Sequence, residues 1–114
     1  MYVMEKMPSF ENKESTEQQL IRLLKERGSE DLVAKSLLDT WTREQERQVE
    51  KENNSGGAIE LNLRRARLYF EAGYVDEALE NFEAARMQAR NENKQEVYQA
   101  IMAEMDKLES DLEQ

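Results

Sequence analysis

Residues that interrupt helices are scarce in this chain, and their scarcity limits the possible folds more than any other feature. The 114 residues include four glycines and one proline, and the glycines fall at only three places: Gly28, Gly56-Gly57 and Gly73. The stretches between them are rich in Glu, Lys, Arg, Gln, Leu and Ala, which lose little side-chain freedom in a helix. No run alternates apolar and polar residues as a half-buried strand does. The sequence therefore predicts an all-α fold of about five helices in antiparallel hairpins.

The first segment, residues 1–13, shows no helical periodicity and contains Pro8. We expect a disordered tail here. Tyr2, Phe10 and three methionines make docking of this tail into a groove the alternative. A single helical domain is then expected over residues 14–114.

An N-terminal hairpin is predicted over residues 14–52. Ser15 or Thr16 is a candidate cap for helix 1, because a glutamine stands three residues after each of them. Gly28 suits the left-handed position after the helix, and Ser29 is the candidate cap of helix 2.

Helix 2 begins with apolar residues at helical spacing up to Trp41. After Trp41 only Val49 is apolar, so we expect the later turns to be solvated or frayed. We expect Trp41 to pack in the core with Leu37 and Leu38, and an exposed binding site around Trp41 is the alternative. A linker is predicted at residues 53–57, where Asn, Ser and Gly cluster.

The C-terminal half predicts three more helices. Helix 3 should run from about Ala58 to Ala72 and end at Gly73, and Asp76 is a candidate cap for helix 4. Asn91-Glu92-Asn93 marks the next break. Helix 5 follows, with apolar residues spaced three and four apart as in a heptad seam: Tyr98, Ile101, Met105, Leu108 and Leu112.

The stretch ARLYFEAGYVDEALENFEAAR, residues 66–86, resembles a tetratricopeptide repeat, a family in which two antiparallel helices approach closely through small residues. The matched positions are Ala66, Tyr69, Gly73, Asp76, Glu77, Ala78, Phe82 and Ala85. The resemblance implies a hairpin over residues 58–92 and a capping helix over residues 93–114. Residues 14–52 are either a degenerate second unit or an ordinary hairpin.

The resemblance also implies a binding groove, because the first helix of each hairpin lines the concave face in this family. Four residues on helix 3 are the candidate partner-binding residues: Leu63, Arg67, Phe70 and Glu71. Such a groove would suit a peptide with apolar and acidic residues. The alternative is that Glu60–Arg64 and Arg67–Glu71 are ordinary ion pairs on a solvated face.

The composition argues against several function classes. The formal net charge of −9 disfavours nucleic-acid binding, which depends on cations that neutralise phosphates. The chain contains neither cysteine nor histidine, and no phosphate-binding or calcium-binding loop is present. We therefore expect no enzyme, no cofactor, no metal site and no membrane span, and a cytoplasmic location.

The leading hypothesis is a protein–protein interaction module, an adaptor or scaffold that binds a peptide or helix in the helix 3 groove. The alternative is an assembly protein that forms a homodimer through helix 5, with Met105, Leu108 and Leu112 at the contact, or through helices 1 and 2. A third hypothesis is an acidic regulator that binds a basic partner.

Overall fold

The computed structural model describes residues 15–52 and 57–113, so the predicted tail at 1–13 and most of the predicted linker at 53–57 lie outside the described residues. The described residues form five α-helices: α1 (Thr16–Arg27), α2 (Leu32–Lys51), α3 (Gly57–Glu71), α4 (Val75–Asn91) and α5 (Gln95–Leu112). This confirms the all-α prediction. Gly57, which was predicted to belong to the linker, is the first residue of α3.

The first hairpin begins with the predicted cap. The Ser15 hydroxyl accepts a hydrogen bond from the Gln18 backbone N–H, and the Gln18 side chain accepts one from the Ser15 backbone N–H, each at 3.1 Å. α1 ends before Gly28, whose φ of 94° is a conformation that side chains with a Cβ rarely adopt. The predicted cap at Ser29 is wrong, because Asp31 caps α2 by accepting from the Ala34 N–H at 3.0 Å.

The later turns of α2 are not frayed, because the helix continues without a break to Lys51. Most of their residues are exposed, as expected. Val49 is buried, and Arg64 of α3 connects the two helices. The Arg64 guanidinium donates to Gln45 at 2.9 Å and Gln48 at 3.2 Å, and it lies 3.6 Å from Glu52. Polar contacts to a neighbouring helix thus order a segment that has little apolar surface of its own.

α3 and α4 form the second hairpin, which turns at Gly73 with a φ of 90°. Tyr74 precedes α4 without making a side-chain cap hydrogen bond. The predicted cap at Asp76 is wrong, because Asp76 lies in the first turn of α4. The Tyr74 hydroxyl instead donates to the Leu24 carbonyl at 2.8 Å, which ties this turn to the end of α1.

α5 follows the predicted break, where Asn93 adopts a φ of 59°. Asparagine tolerates this left-handed conformation better than most residues. The helices pack largely in sequence: α1 against α2, α2 against α3, α3 against α4, and α4 against α5, with a further contact between α1 and α3.

Two hydrophobic clusters hold the helices together. The N-terminal core consists of Leu20, Leu24, Ala34, Trp41, Leu68 and Ala72. The C-terminal core consists of Ile59, Leu63, Ala66, Phe82, Ala85, Ala89 and Ile101. α3 contributes residues to both cores, so it is the element that joins the two halves. The burial of Trp41, which is 1% exposed, confirms the predicted core position.

Close approach of α3 and α4 depends on small residues. Ala66, Ala78 and Ala85 are fully buried, and Phe82 fills the space beside them in the C-terminal core. An alanine at a helix contact lets the two backbones come near each other without leaving a void. The resemblance to a tetratricopeptide repeat implied small residues at these positions.

Candidate protein-binding surface

A cleft lies between α1 and α3, the first helices of the two hairpins. It is open to solvent, has a volume of about 500 Å³, and is lined by Gln18, Ile21, Arg22, Lys25, Glu26 and Glu71. We call it the α1–α3 cleft. The α1 residues occupy positions i, i+3, i+4, i+7 and i+8, so they share one face of that helix.

The charges in the α1–α3 cleft are of both signs. Arg22 lies 3.7 Å from Glu26 on the same helix. Lys25 and Glu71 form no ion pair within residues 15–52 and 57–113, and both are exposed. Ile21 is partly buried and packs against the N-terminal core. The cleft therefore offers an apolar side chain beside an ammonium group that forms no ion pair with a described carboxylate.

Arg67 does not line the cleft; it lies one helical turn before Glu71 on α3 and pairs with α5. Its Nε and Nη2 donate to the two carboxylate oxygens of Glu104 at 2.9 and 3.0 Å. The pKa of Arg67 is raised mainly by this hydrogen bond to Glu104. The Arg67 side chain is 49% exposed and that of Glu104 is 32% exposed, so water screens the pair. The predicted alternative, an Arg67–Glu71 pair, is replaced by this contact between helices, whereas the Glu60–Arg64 pair forms at 3.0 Å.

The four predicted partner-binding residues occupy different environments. Leu63 is buried in the C-terminal core at 8% exposure, so it offers almost no surface to a ligand. Phe70 is partly buried. Arg67 and Glu71 are both exposed, and they lie one helical turn apart, so they share a face of α3.

The three residues predicted for self-association also differ in exposure. Met105 and Leu108 are partly buried and pack against the C-terminal core, which fits the capping role implied for this helix. Leu112 is 50% exposed. Two other large apolar side chains are more exposed than Leu112: Leu32 at 80% and Val33 at 52%.

Sequence reasoning missed the contribution of α1 to the α1–α3 cleft. The signal was the helical spacing of Ile21, Arg22 and Lys25, which places them beside the apolar stripe of α1. It also missed Glu104 as the partner of Arg67, since the two are 37 residues apart and nothing local connects them.

In the part of the chain that the structure describes, no three acidic side chains are grouped so that they could hold a metal ion. No helix among these residues is long and apolar enough to cross a membrane.

Comparisons with known proteins found no match: no family model, no curated protein and no solved structure is significantly similar to this chain.

Proposed function

We propose that this chain is a protein-interaction module, resembling a tetratricopeptide-repeat adaptor, that binds a peptide or helix across α1 and α3. The observation that carries the proposal is the α1–α3 cleft, because it lies between the first helices of two successive hairpins. The first helices of tetratricopeptide hairpins line the concave binding face of that family. In this interpretation residues 14–52 are the degenerate first unit and α5 is the capping helix.

The chemistry of the surface indicates the kind of partner. Lys25 and Arg67 are cations in a chain with a net charge of −9, and Ile21 and Phe70 are partly buried apolar side chains on the same two helices. A peptide that carries carboxylates next to apolar residues would complement this arrangement. Glu71 at the edge of the cleft would repel a uniformly acidic peptide. The surface would therefore discriminate among acidic peptides as well as attract them.

A displayed peptide library tests the proposal without a known partner. The full chain selects peptides, and the affinity of a selected peptide is then measured by fluorescence anisotropy for the chain and for charge-reversal variants. Lys25→Glu and Arg67→Glu should each weaken binding about tenfold, which corresponds to about 1.4 kcal/mol. Arg43→Glu is the matched control, because Arg43 is exposed on α2, a helix that contributes no residue to the cleft. Equal affinities for all four proteins would refute the proposal.

A second candidate function is self-assembly through helices 1 and 2. The observation that favours it is the exposure of Leu32 and Val33 at the start of α2, where Leu23 and Leu37 line the same open groove. Exposed leucines of this kind are common at contacts between proteins. Light scattering over a range of concentrations tests this idea. A dimer that Leu32→Glu dissociates, and that Leu112→Glu does not, would assign the contact to this hairpin and not to α5.

A further inference from the structure

An open groove with a volume of about 410 Å³ lies between α1 and the start of α2. It is lined by Gln19, Leu23, Leu32, Val33, Ser36, Leu37 and Thr40. We call it the α1–α2 groove. Leu23 and Leu37 form its floor, because both are partly buried and pack against the N-terminal core. Leu32 and Val33 are the most exposed large apolar side chains beside this floor.

The α1–α2 groove has both a projecting apolar edge and an apolar floor, so its shape suits a second copy of itself. In a twofold-symmetric contact the same patch of surface meets itself. Leu32 and Val33 of one copy then cover Leu23 and Leu37 of the other, and the contact is made twice. Removing such side chains from water is a main driving force for the association of proteins.

Electrostatics also favours a second copy as the occupant of this groove. Two chains that each carry a net charge of −9 repel each other across an acidic face. None of the seven residues that line the α1–α2 groove is charged, whereas four of the six that line the α1–α3 cleft are charged. The charged residues beside the groove in the sequence pair with each other, Arg27 with Asp31 at 4.0 Å and Lys35 with Glu30 at 3.1 Å. Two copies therefore meet on this face without net repulsion between the contacting surfaces.

We propose that two copies of this chain pair through their α1–α2 grooves while both α1–α3 clefts stay open. Gln19 and Leu23, which line the groove, lie roughly a third of a turn around α1 from the residues that line the cleft. Self-assembly and peptide binding therefore use different faces of α1 and do not exclude each other. The dimer then presents two clefts to a partner that carries the peptide twice. This bivalent binding rests on the proposed function, whereas the pairing does not.

Light scattering of the full chain, from low micromolar to near-millimolar concentration, tests the pairing. We expect the mass to rise from that of one chain to that of two, and Leu32→Glu to keep the chain monomeric. Leu112→Glu is the matched control, because Leu112 is 50% exposed on α5, and it should leave the dimer intact. A chain that is monomeric throughout, or a dimer that Leu32→Glu does not dissociate, would overturn the pairing.

Single cysteines test the symmetry of the contact, because the chain contains no cysteine of its own. Ser36 is exposed and lies between Val33 and Thr40 on the groove face of α2. A twofold contact places this residue near its own copy. Mild oxidation should therefore cross-link Ser36→Cys at least about tenfold faster than Ser110→Cys, the control on an exposed position of α5, because a disulfide forms only between closely spaced residues. Equal rates would overturn the proposed contact.

A tandem peptide tests whether both clefts stay open. A peptide selected as above is joined to a second copy through Gly/Ser linkers of graded length, and binding is measured at concentrations where the dimer forms. The single peptide should bind the chain and Leu32→Glu equally. The tandem peptide should bind the chain at least about tenfold more tightly than it binds Leu32→Glu.

Two results would overturn the claim that the clefts stay open: weaker binding of the single peptide by Leu32→Glu, or no gain from the tandem peptide at any linker length. Failure to select any peptide would refute the proposed function and with it the bivalent binding. The pairing is decided separately, because mass and cross-linking are measured without a peptide.

Discussion

Replacing Phe82 tests whether the two cores form one cooperative unit. Phe82 is fully buried in the C-terminal core, and truncating a buried phenylalanine to alanine costs about 3–5 kcal/mol. A domain of this size has a total stability of roughly 6–17 kcal/mol. Phe82→Ala should therefore remain folded in water and unfold at a lower denaturant concentration.

Two spectroscopic probes report on different parts of the molecule. Fluorescence reports on Trp41, the only tryptophan, which lies in the N-terminal core, whereas circular dichroism reports on all the helices. With an m value of 1–3 kcal/mol/M, Phe82→Ala should lower the urea midpoint by about 2 M. Because α3 contributes to both cores, both probes should show the same decrease.

The matched control is Met87→Ala on the same helix, since Met87 is 37% exposed and its truncation should cost less than about 1 kcal/mol. A fluorescence midpoint that stays unchanged in Phe82→Ala, while the dichroism transition splits in two, would refute the reasoning. It would mean that the two hairpins unfold independently and that α3 does not couple them.

Three further predictions concern single contacts. Gly73→Ala should lower the free energy of unfolding, measured in a thermal melt, by about 1–2 kcal/mol. The reason is backbone strain alone, because φ at this position is 90° and the added Cβ would meet no atom within 4 Å. A double-mutant cycle of Arg67→Ala and Glu104→Ala should give a coupling of about 0.5 kcal/mol, which high salt reduces; a coupling of zero at low salt would contradict it. The Arg86 hydrogen bond lowers the pKa of Glu83, so this carboxylate stabilises the fold above its ordinary pKa and loses that effect as the pH falls through the lowered value. The melting temperatures of the chain and of Glu83→Gln should therefore converge in acid, and a constant difference from pH 7 to pH 3 would contradict this.

The helix ends that sequence reasoning located well are those that depend on local chemistry. Ser15 and Gln18 form the predicted capping box. Gly28, Gly73 and Asn93 occupy left-handed conformations at the predicted breaks. In each case residues within one turn satisfy the backbone groups at the helix end. A short stretch of sequence is therefore enough to predict where the helix ends.

The caps of α2 and α4 show the limit of this reasoning. Ser29 and Asp76 are good capping residues by type, yet Asp31 caps α2 and Tyr74 precedes α4. Tyr74 is held by its hydrogen bond to Leu24, 50 residues away. Local preference cannot reveal a contact at that distance.

The surface was harder to predict than the fold, because it too depends on contacts between residues far apart in the sequence. The end of α2 has little apolar surface, and its order rests on Arg64, which lies 16 to 19 residues further along the chain. The burial of Leu63 and the pairing of Arg67 with Glu104 depend on how α3 meets α4 and α5. Periodicity identifies which residues share a helix face, but it does not say which neighbouring helix covers that face.

Chemical-shift mapping of a selected peptide on the labelled full chain tests the central claim most directly. The account predicts that the largest shifts on titration fall on Ile21 and Lys25 of α1 and on Arg67, Phe70 and Glu71 of α3, with the outer face of α4 unchanged. Shifts confined to Leu32 and Val33, or to the last turn of α5, would contradict the claim that the chain binds its partner in the α1–α3 cleft.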